Sequence, residues 1–288
     1  MKVLLTGGAG DLGRLLARDL DERGDLPIIF DVRPPPAPRG ITFTGSILDR
    51  PLLSQAMTGV DCVVHIAAWH GVHDFRKQKD VYDFWELNVT GTFYVFEAAA
   101  RAGVSNIIYI SSSDAEDRTT IYGHTKVLGE EIARTYAARH HMNVVALRPR
   151  AFIPYWNRDV YNSFIEWANW FWGGAVHIDD VLQGVLKTID LLARQTLTHP
   201  LTLNLDGAYE YTDEDLAHWD SSGATFRKYY APYEKLVLAH GLDPARKPTR
   251  LPITETADWL GYAPRYSLRN LLHELEQYGE SGPPPPRF

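Results

Sequence analysis

At 288 residues, with 45% hydrophobic and 23% charged side chains, the chain is long enough for one large globular domain or one and a half. A net charge of −7 with no basic stripe excludes a nucleic-acid-binding surface. The single cysteine, Cys62, excludes an internal disulfide, and no uncharged apolar run reaches the roughly eighteen residues of a membrane span.

The chain opens on an apolar run, Lys2 to Thr6, that leads into Gly7-x-x-Gly10-x-x-Gly13. The first glycine permits a sharp turn off a strand. The second lets a pyrophosphate approach the main chain, and the third lets the following helix pack close to the sheet. Leu12, Leu15, Leu16 and Leu20 follow at helical spacing, and the helix N-terminus attracts phosphates. A second strand ends in Asp31, about twenty residues on, where a carboxylate would accept hydrogen bonds from an adenosine ribose. That carboxylate repels a 2′-phosphate and so favours NAD. Arg33, two residues later, could pair with such a phosphate, which leaves NADP open. Apolar runs predict strands at 2–6, 27–31, 41–43, 61–66, 106–111, 143–148 and 201–205, and helices at 11–23, 49–58, 79–101, 122–140 and 178–194. Such alternation specifies an α/β, Rossmann-type, doubly wound parallel sheet, because parallel strands need crossovers.

Residues 1–150 read as the dinucleotide-binding domain, with 175–206 returning to it. Residues 151–174, rich in aromatics, and 207–288, with helical patches near 213–219, 232–240, 254–259 and 268–278, read as a small C-terminal substrate lobe over the carboxyl ends of the strands. The segment Gly282-Pro-Pro-Pro-Pro286 is expected to lack order. Cys62 lies in an apolar run and reads as a buried thiol. The short apolar run after Lys2 ends in glycines and does not read as a signal peptide, so the expected compartment is the cytoplasm.

The strand ending Tyr109-Ile-Ser111-Ser112-Ser113 places hydroxyls at its carboxyl end, and Tyr122-Gly-His-Thr-Lys126 opens the next helix. Tyr and Lys four apart share a helical face, so the ammonium is expected to lower the phenol pKa and let it act as an acid/base near neutrality.

With these motifs in order, together with Gly45-Ser-Ile-Leu-Asp49, His65-Ile-Ala-Ala68, Asn88-Val-Thr-Gly-Thr92, Leu147-Arg-Pro149 and Leu260-Gly-Tyr-Ala-Pro264, the chain resembles the extended short-chain dehydrogenase/reductases. These are the NAD-dependent epimerase/dehydratase group acting on sugars and nucleotide sugars. The resemblance implies that Gly7, Gly10, Asp11, Leu12 and Gly13 hold a pyrophosphate and Asp31 a ribose. It places Ser46 and Ile47 beside the adenine, and Ile66, Ala67 and Ala68 under the dinucleotide. Asn88 braces the site, and Ser111 and Pro149 contribute to the cofactor site. Tyr122 is the acid/base, Lys126 lowers its pKa and binds the nicotinamide ribose, and Ser113, or else Ser112, orients the substrate hydroxyl. It also implies a homodimer through helices 79–101 and 122–140, with Val89, Phe93, Tyr94, Val95 and Phe96 on one, and Val127, Leu128, Ile132 and Tyr136 on the other.

Three departures bear on the substrate. Ser46 stands where the family usually has an aspartate for the adenine amino group. Ser113 and Tyr122 are only nine residues apart, and the segment after Pro149 is short. The last two imply a substrate smaller than a nucleotide sugar, such as a free sugar or sugar acid. Ser113-Asp114-Ala115 partly resembles the Thr-Asp-Glu run of the 4,6-dehydratases, but Ala115 removes one of the two carboxylates that elimination needs. Trp69, His70 and His73 read as substrate contacts. They cluster with His65, but no metal is expected, since hydride chemistry here requires none. Arg150 reads as a clamp for a carboxylate or phosphate. Trp156 and Asn157 are placed against a sugar face, and Trp167, Trp170 and Trp172 in the core. The leading expectation is NAD-dependent sugar oxidoreduction with net release of NADH. The alternatives are a nucleotide-sugar epimerase with tightly held NAD, a 4,6-dehydratase, and a non-catalytic dinucleotide sensor.

Overall fold

The computed structural model covers all 288 residues, Met1–Phe288, and divides into two compact units. The first comprises residues 1–149, 182–204 and 288; the second comprises residues 150–181 and 205–287.

The strands are β1 (Lys2–Thr6), β2 (Leu26–Asp31), β3 (Ile41–Thr44), β4 (Cys62–His65), β5 (Asn106–Ile110), β6 (Asn143–Pro149) and β7 (Leu201–Leu205). They form one sheet in the order β3-β2-β1-β4-β5-β6-β7, and the pairings from β3 through β6 are parallel. In β4 and β5 the apolar side chains are buried on both faces, as a sheet covered by helices on either side requires. The order reverses beside β1, so the carboxyl ends of β1 and β4 flank the switch point where such sheets take ligands.

In the first unit the helices are α1 (Asp11–Glu22), α2 (Arg50–Ala56), α3 (Gly71–Phe75), α4 (Val81–Phe84), α5 (Thr92–Ala102) and α6 (Ile121–His140). Helix α1 turns Leu12, Leu15, Leu16 and Leu20 inward. Helix α6 starts at Thr120, whose hydroxyl accepts from the Gly123 amide at 3.0 Å. The span 79–101, expected as one helix, is instead α4, a π-helical turn over Trp85–Gly91, and α5. Its periodicity reads as a single helix because a π-turn keeps the chain helical while inserting one residue. Helix α3 was not anticipated, being only five residues long.

Helix α7 (Phe164–Trp172) lies in the second unit and α8 (Ile178–Arg194) begins there. The helices α9 (Asp213–Ala217), α10 (Ala224–Tyr230), α11 (Glu234–Ala239), α12 (Thr254–Leu260) and α13 (Leu268–Tyr278) complete the second unit. Its core is aromatic, built on Tyr155, Phe164, Trp167, Phe226 and Tyr230. Trp167 and Trp172 are buried, but Trp170 is half exposed, because three tryptophans within six residues cannot all face one side of a helix. Of residues 175–206, read on sequence as returning to the first domain, 175–181 and 205–206 fall in the second unit. There the His177 ring stacks on Tyr266 at 4.1 Å, and the buried Asp180 carboxylate accepts the Arg265 and Tyr266 amides at 2.8 and 3.0 Å. The proline-rich tail is anchored as well. Gly282 is buried against Phe164, and the Tyr155 hydroxyl donates to the Pro283 carbonyl at 2.6 Å.

Candidate functional site

The glycine loop after β1 takes the shape its spacing predicts. Gly7 has φ +70°, and a Cβ there would lie 2.8 Å from the Ala67 amide nitrogen. At Gly13 a Cβ would meet Gly8 Cα at 2.5 Å, so α1 approaches the loop as closely as backbone allows. No side chain caps α1 at Gly10, which leaves the first amides of the helix, at Asp11, Leu12 and Gly13, turned to the loop. The Asp31 carboxylate receives the Ala9 amide at 3.0 Å and the Arg33 amide at 3.1 Å, which ties the end of β2 to the loop. The Arg33 side chain is exposed. The Ser46 hydroxyl accepts the Leu48 amide at 3.2 Å, and Ile47 is buried. Ile66 and Ala67 are held at the end of β4 by Thr6, and Ala68 follows them. This loop, acceptor and amide set fits a dinucleotide: backbone donors for the pyrophosphate and one carboxylate for a ribose diol.

Tyr122 and Lys126 lie one turn apart on the inward face of α6, both buried. The Ser112 hydroxyl lies close enough to the Tyr122 phenol to lower its pKa. Ser112 is itself buried, and its oxygen accepts the Asp114 amide at 3.1 Å. The serine that acts on the phenol is Ser112, while Ser113 begins a short 3-10 turn over Ser113–Glu116. Burial pushes the phenol pKa up, Ser112 lowers it and the nearby Asp114 charge raises it further. Lys126 does not relieve this. Its ammonium donates to the Ile110 carbonyl at 2.9 Å and stands 5.7 Å from the Tyr122 ring centre. Burial holds Lys126 down at about 7, opposed by the Glu130 carboxylate. The expectation that lysine lowers the tyrosine pKa is not met in this structure, since burial outweighs a charge at that separation and partly discharges the lysine itself.

Glu130, one further turn along the same face, was missed on sequence. It is almost fully buried and accepts from the Ser111 hydroxyl at 2.6 Å, from Arg148 at 2.7 and 2.8 Å, and from Arg134 at 3.2 Å. Ser111, expected near the cofactor, spends its hydroxyl proton on Glu130. The spacing 122, 126, 130 was the available signal: a carboxylate on the inward stripe of a helix needs buried cations.

Asn88, in the π-turn, is buried and fully used. Its carbonyl oxygen accepts the Trp69 amide at 2.7 Å, and its amide donates to the Trp69 carbonyl at 3.0 Å and to the Thr125 hydroxyl at 3.1 Å. The rings of Trp69 and His73 meet edge to face at 5.2 Å, and Lys79 lies 4.2 Å over Trp69. His70 has its pKa pressed to about 3 by burial, then by Lys126 and His73, which keeps it neutral. Gly71 touches the Tyr122 ring edge: a Cβ there would lie 3.1 Å from it and 3.5 Å from an Asp114 carboxylate oxygen. Trp69, His70 and Gly71 thus gather around Tyr122 and Lys126, while Pro149 closes β6 in the interior.

Arg150 is not a free clamp. Its guanidinium donates to the Gly174 carbonyl at 3.1 Å, to the Thr249 carbonyl at 2.9 Å and to the Thr249 hydroxyl at 2.6 Å, with the Asp206 carboxylate at 3.7 Å. It braces the second unit from within. Trp156 belongs to that unit's aromatic cluster, edge-on to Tyr155 at 5.1 Å, with Asn157 beside it in the turn.

Residues 3–167 match the NAD dependent epimerase/dehydratase family. The chain belongs to that family. It is 31% identical over 184 residues to the uncharacterized protein y4nG of Sinorhizobium fredii, covering 57% of this chain and 44% of that one. It is 28% identical over 171 residues to a uronate dehydrogenase of Pseudomonas putida, covering 53% and 62%. The chain thus spans about half the length of the curated relatives it matches. Among solved structures, MoeE5 in complex with UDP-glucuronic acid and NAD superposes with a TM-score of 0.71 at 22% identity, covering 95% of this chain and 97% of that one, which shows the shared fold.

Proposed function

We propose that this chain is an NAD-dependent oxidoreductase that moves a hydride from a carbon of a free sugar or sugar acid to the cofactor, releasing NADH. The observation that carries the reading is the buried Tyr122 phenol, one helical turn from Lys126 on α6 and beside the buried Ser112 at the carboxyl end of β5, with Lys126 held on the Ile110 carbonyl. In this reading the loop Gly7–Gly13 and Asp31 hold NAD, which when bound accepts the hydride at its nicotinamide. Ser112 and Tyr122 share one substrate oxygen. Tyr122 takes its proton as the hydride leaves, Lys126, poised near neutrality, contacts the ribose, and the phenolate would be favoured by the positive nicotinamide of bound NAD rather than by Lys126. Asn88 holds the Trp69 main chain beside them, and neutral His70 and His73 supply substrate hydrogen bonds.

Net dehydrogenation rather than epimerisation is supported by the nine-residue spacing of Ser113 and Tyr122 and by the likeness to a uronate dehydrogenase. We further infer that the protein works as a cytoplasmic homodimer. Tyr82, Trp85 and Phe93 form an apolar stripe along α4, the π-turn and α5, exposed by 80%, 49% and 43%. Val95, Phe96, Val127 and Tyr136, counted on sequence toward that surface, are buried in the core of the first unit.

A panel of free aldoses and uronates with NAD, read at 340 nm, tests the reaction. NADH should accumulate with at least one of them. Tyr122→Phe should lower turnover by roughly 10²–10⁴-fold with NAD affinity unchanged. Interconversion of a sugar pair without an absorbance change would make the enzyme an epimerase, and full activity in the variant would end the role of Tyr122.

A further inference from the structure

One buried titratable side chain has no part in that chemistry. His65, at the end of β4, is 1% exposed and lies between two threonine hydroxyls. Thr92 Oγ1 donates its only proton to the main-chain carbonyl of Asn88 at 2.6 Å, so toward His65 it can only accept. The 2.9 Å contact between His65 Nε2 and Thr92 Oγ1 is then an N–H donation from the ring. Nδ1 carries no proton and accepts from the Thr6 hydroxyl at 2.7 Å. Both flanking bonds thus require one and the same tautomer.

On one side, Thr6 immediately precedes Gly7, and its hydroxyl oxygen receives the Ile66 amide at 3.2 Å. On the other, Asn88 holds the Trp69 main chain in both directions and donates to the Thr125 hydroxyl, which itself donates to the Tyr122 carbonyl at 2.9 Å. The path from the residue before the glycine loop to the first turn of α6 runs through hydrogen bonds and, at Asn88, from its main-chain carbonyl to its side-chain amide.

We propose that His65 is a positioning residue, a directional spacer that fixes the dinucleotide-binding loop against the π-turn and the catalytic tyrosine. Its two nitrogens serve different halves of the site. The Nδ1 side holds Thr6 and with it the loop that receives the cofactor. The Nε2 side holds Thr92, Asn88 and the Trp69 peptide beside Tyr122. Burial keeps the ring neutral, so the same nitrogen stays bare through the neutral range.

The two halves separate by substitution. His65→Asn presents a carbonyl oxygen where Nδ1 stands and nothing at the Nε2 position. His65→Gln reaches the Nε2 position with an N–H donor and leaves Thr6 unpartnered. Thr92→Val cuts the Nε2 side alone and serves as the second route to the same break. The full chain is titrated with NAD by calorimetry, and amide exchange is followed without NAD at Trp69 and across residues 88–92. His65→Asn and Thr92→Val should bind NAD within about twofold of the parent while those amides exchange at least tenfold faster. His65→Gln should bind NAD about tenfold more weakly with exchange near the parent's. Equal loss of both readouts in all three variants, as a plain core role would give, or no change in either, would overturn the proposal. It rests on the dinucleotide reading of the loop. No sugar enters either measurement, so failure of the proposed sugar oxidation and failure of this spacer role are distinguishable.

Discussion

Replacing Glu130 by alanine removes a 1%-exposed carboxylate that closes three short bonds, one from Ser111 and two from Arg148. The cost falls mainly on the partner left behind. The Arg148 side chain is only 19% exposed, and its remaining acid, Glu116, stands at 3.5 Å in solvent. Breaking a buried pair by deleting one member costs about 3–5 kcal/mol, and the residual exposure of Arg148 sets this case near about 3 kcal/mol. For a chain of this size that is a fall in Tm of about 6–12 °C by circular dichroism or differential scanning calorimetry. Glu130→Gln, which keeps one acceptor, should lie between. The control is Glu131→Ala, whose carboxylate is 60% exposed and pairs with the outer side of Arg134. It should change stability by about 0.5 kcal/mol or less. A Glu130→Ala variant within 2–3 °C of the parent, that is about 1 kcal/mol, would show that the buried pair contributes no more than its burial costs, and the argument from geometry would fail.

Asp31→Ala should reduce the preference for NAD over NADP by roughly tenfold, about 1.4 kcal/mol, by removing the charge that would face a 2′-phosphate. Calorimetric titration of both cofactors reads it, and an unchanged ratio would remove Asp31 from cofactor choice. Acid should unfold the protein partly through His65, whose pKa burial lowers from 6.5 to about 3. The unfolded chain binds this proton first, so stability is fully present above about pH 6.5 and is lost as pH falls toward 3. Urea titrations of parent and His65→Gln across that window should converge as pH falls, and parallel curves would deny the ring this part in acid sensitivity. Tyr82→Lys with Trp85→Lys should yield a monomer by light scattering at micromolar concentration. A monomeric parent would refute the dimer.

The parallel sheet was legible because buried parallel strands are continuous apolar runs and the glycine loop has a spacing that one backbone geometry requires. Tyr122 and Lys126 were legible as a pair through their position after the serine-ended strand, since the spacing alone recurs by chance. The choice between Ser112 and Ser113 was not, since adjacent serines at a strand end differ only by which one the next turn carries away. Arg150 misled because an arginine after a strand says nothing of the carbonyls that the fold will bring to it. Thr6 and Thr92 stand inside recognisable motifs, but their bonds to His65 carry no sequence signal, and Thr125 carries none at all: a threonine that bonds across a core looks like any β-branched residue. The π-turn stayed hidden because Trp85–Gly91 remains helical by every local criterion.

That turn also fixes what the chain tolerates in evolution and in engineering. One residue of insertion rotates everything upstream by about 100° around the helix axis relative to a plain α-helix. With that extra residue in place Asn88 reaches Trp69 and Thr125, while Tyr82 and Trp85 stay outside. Deleting a single residue between 89 and 91 should restore regular α-helical phase and turn Tyr82, Trp85 and the buried Asn88 together relative to Phe93. The surface proposed for the partner and the geometry around Tyr122 are therefore mechanically geared, and neither face of this helix can change register alone.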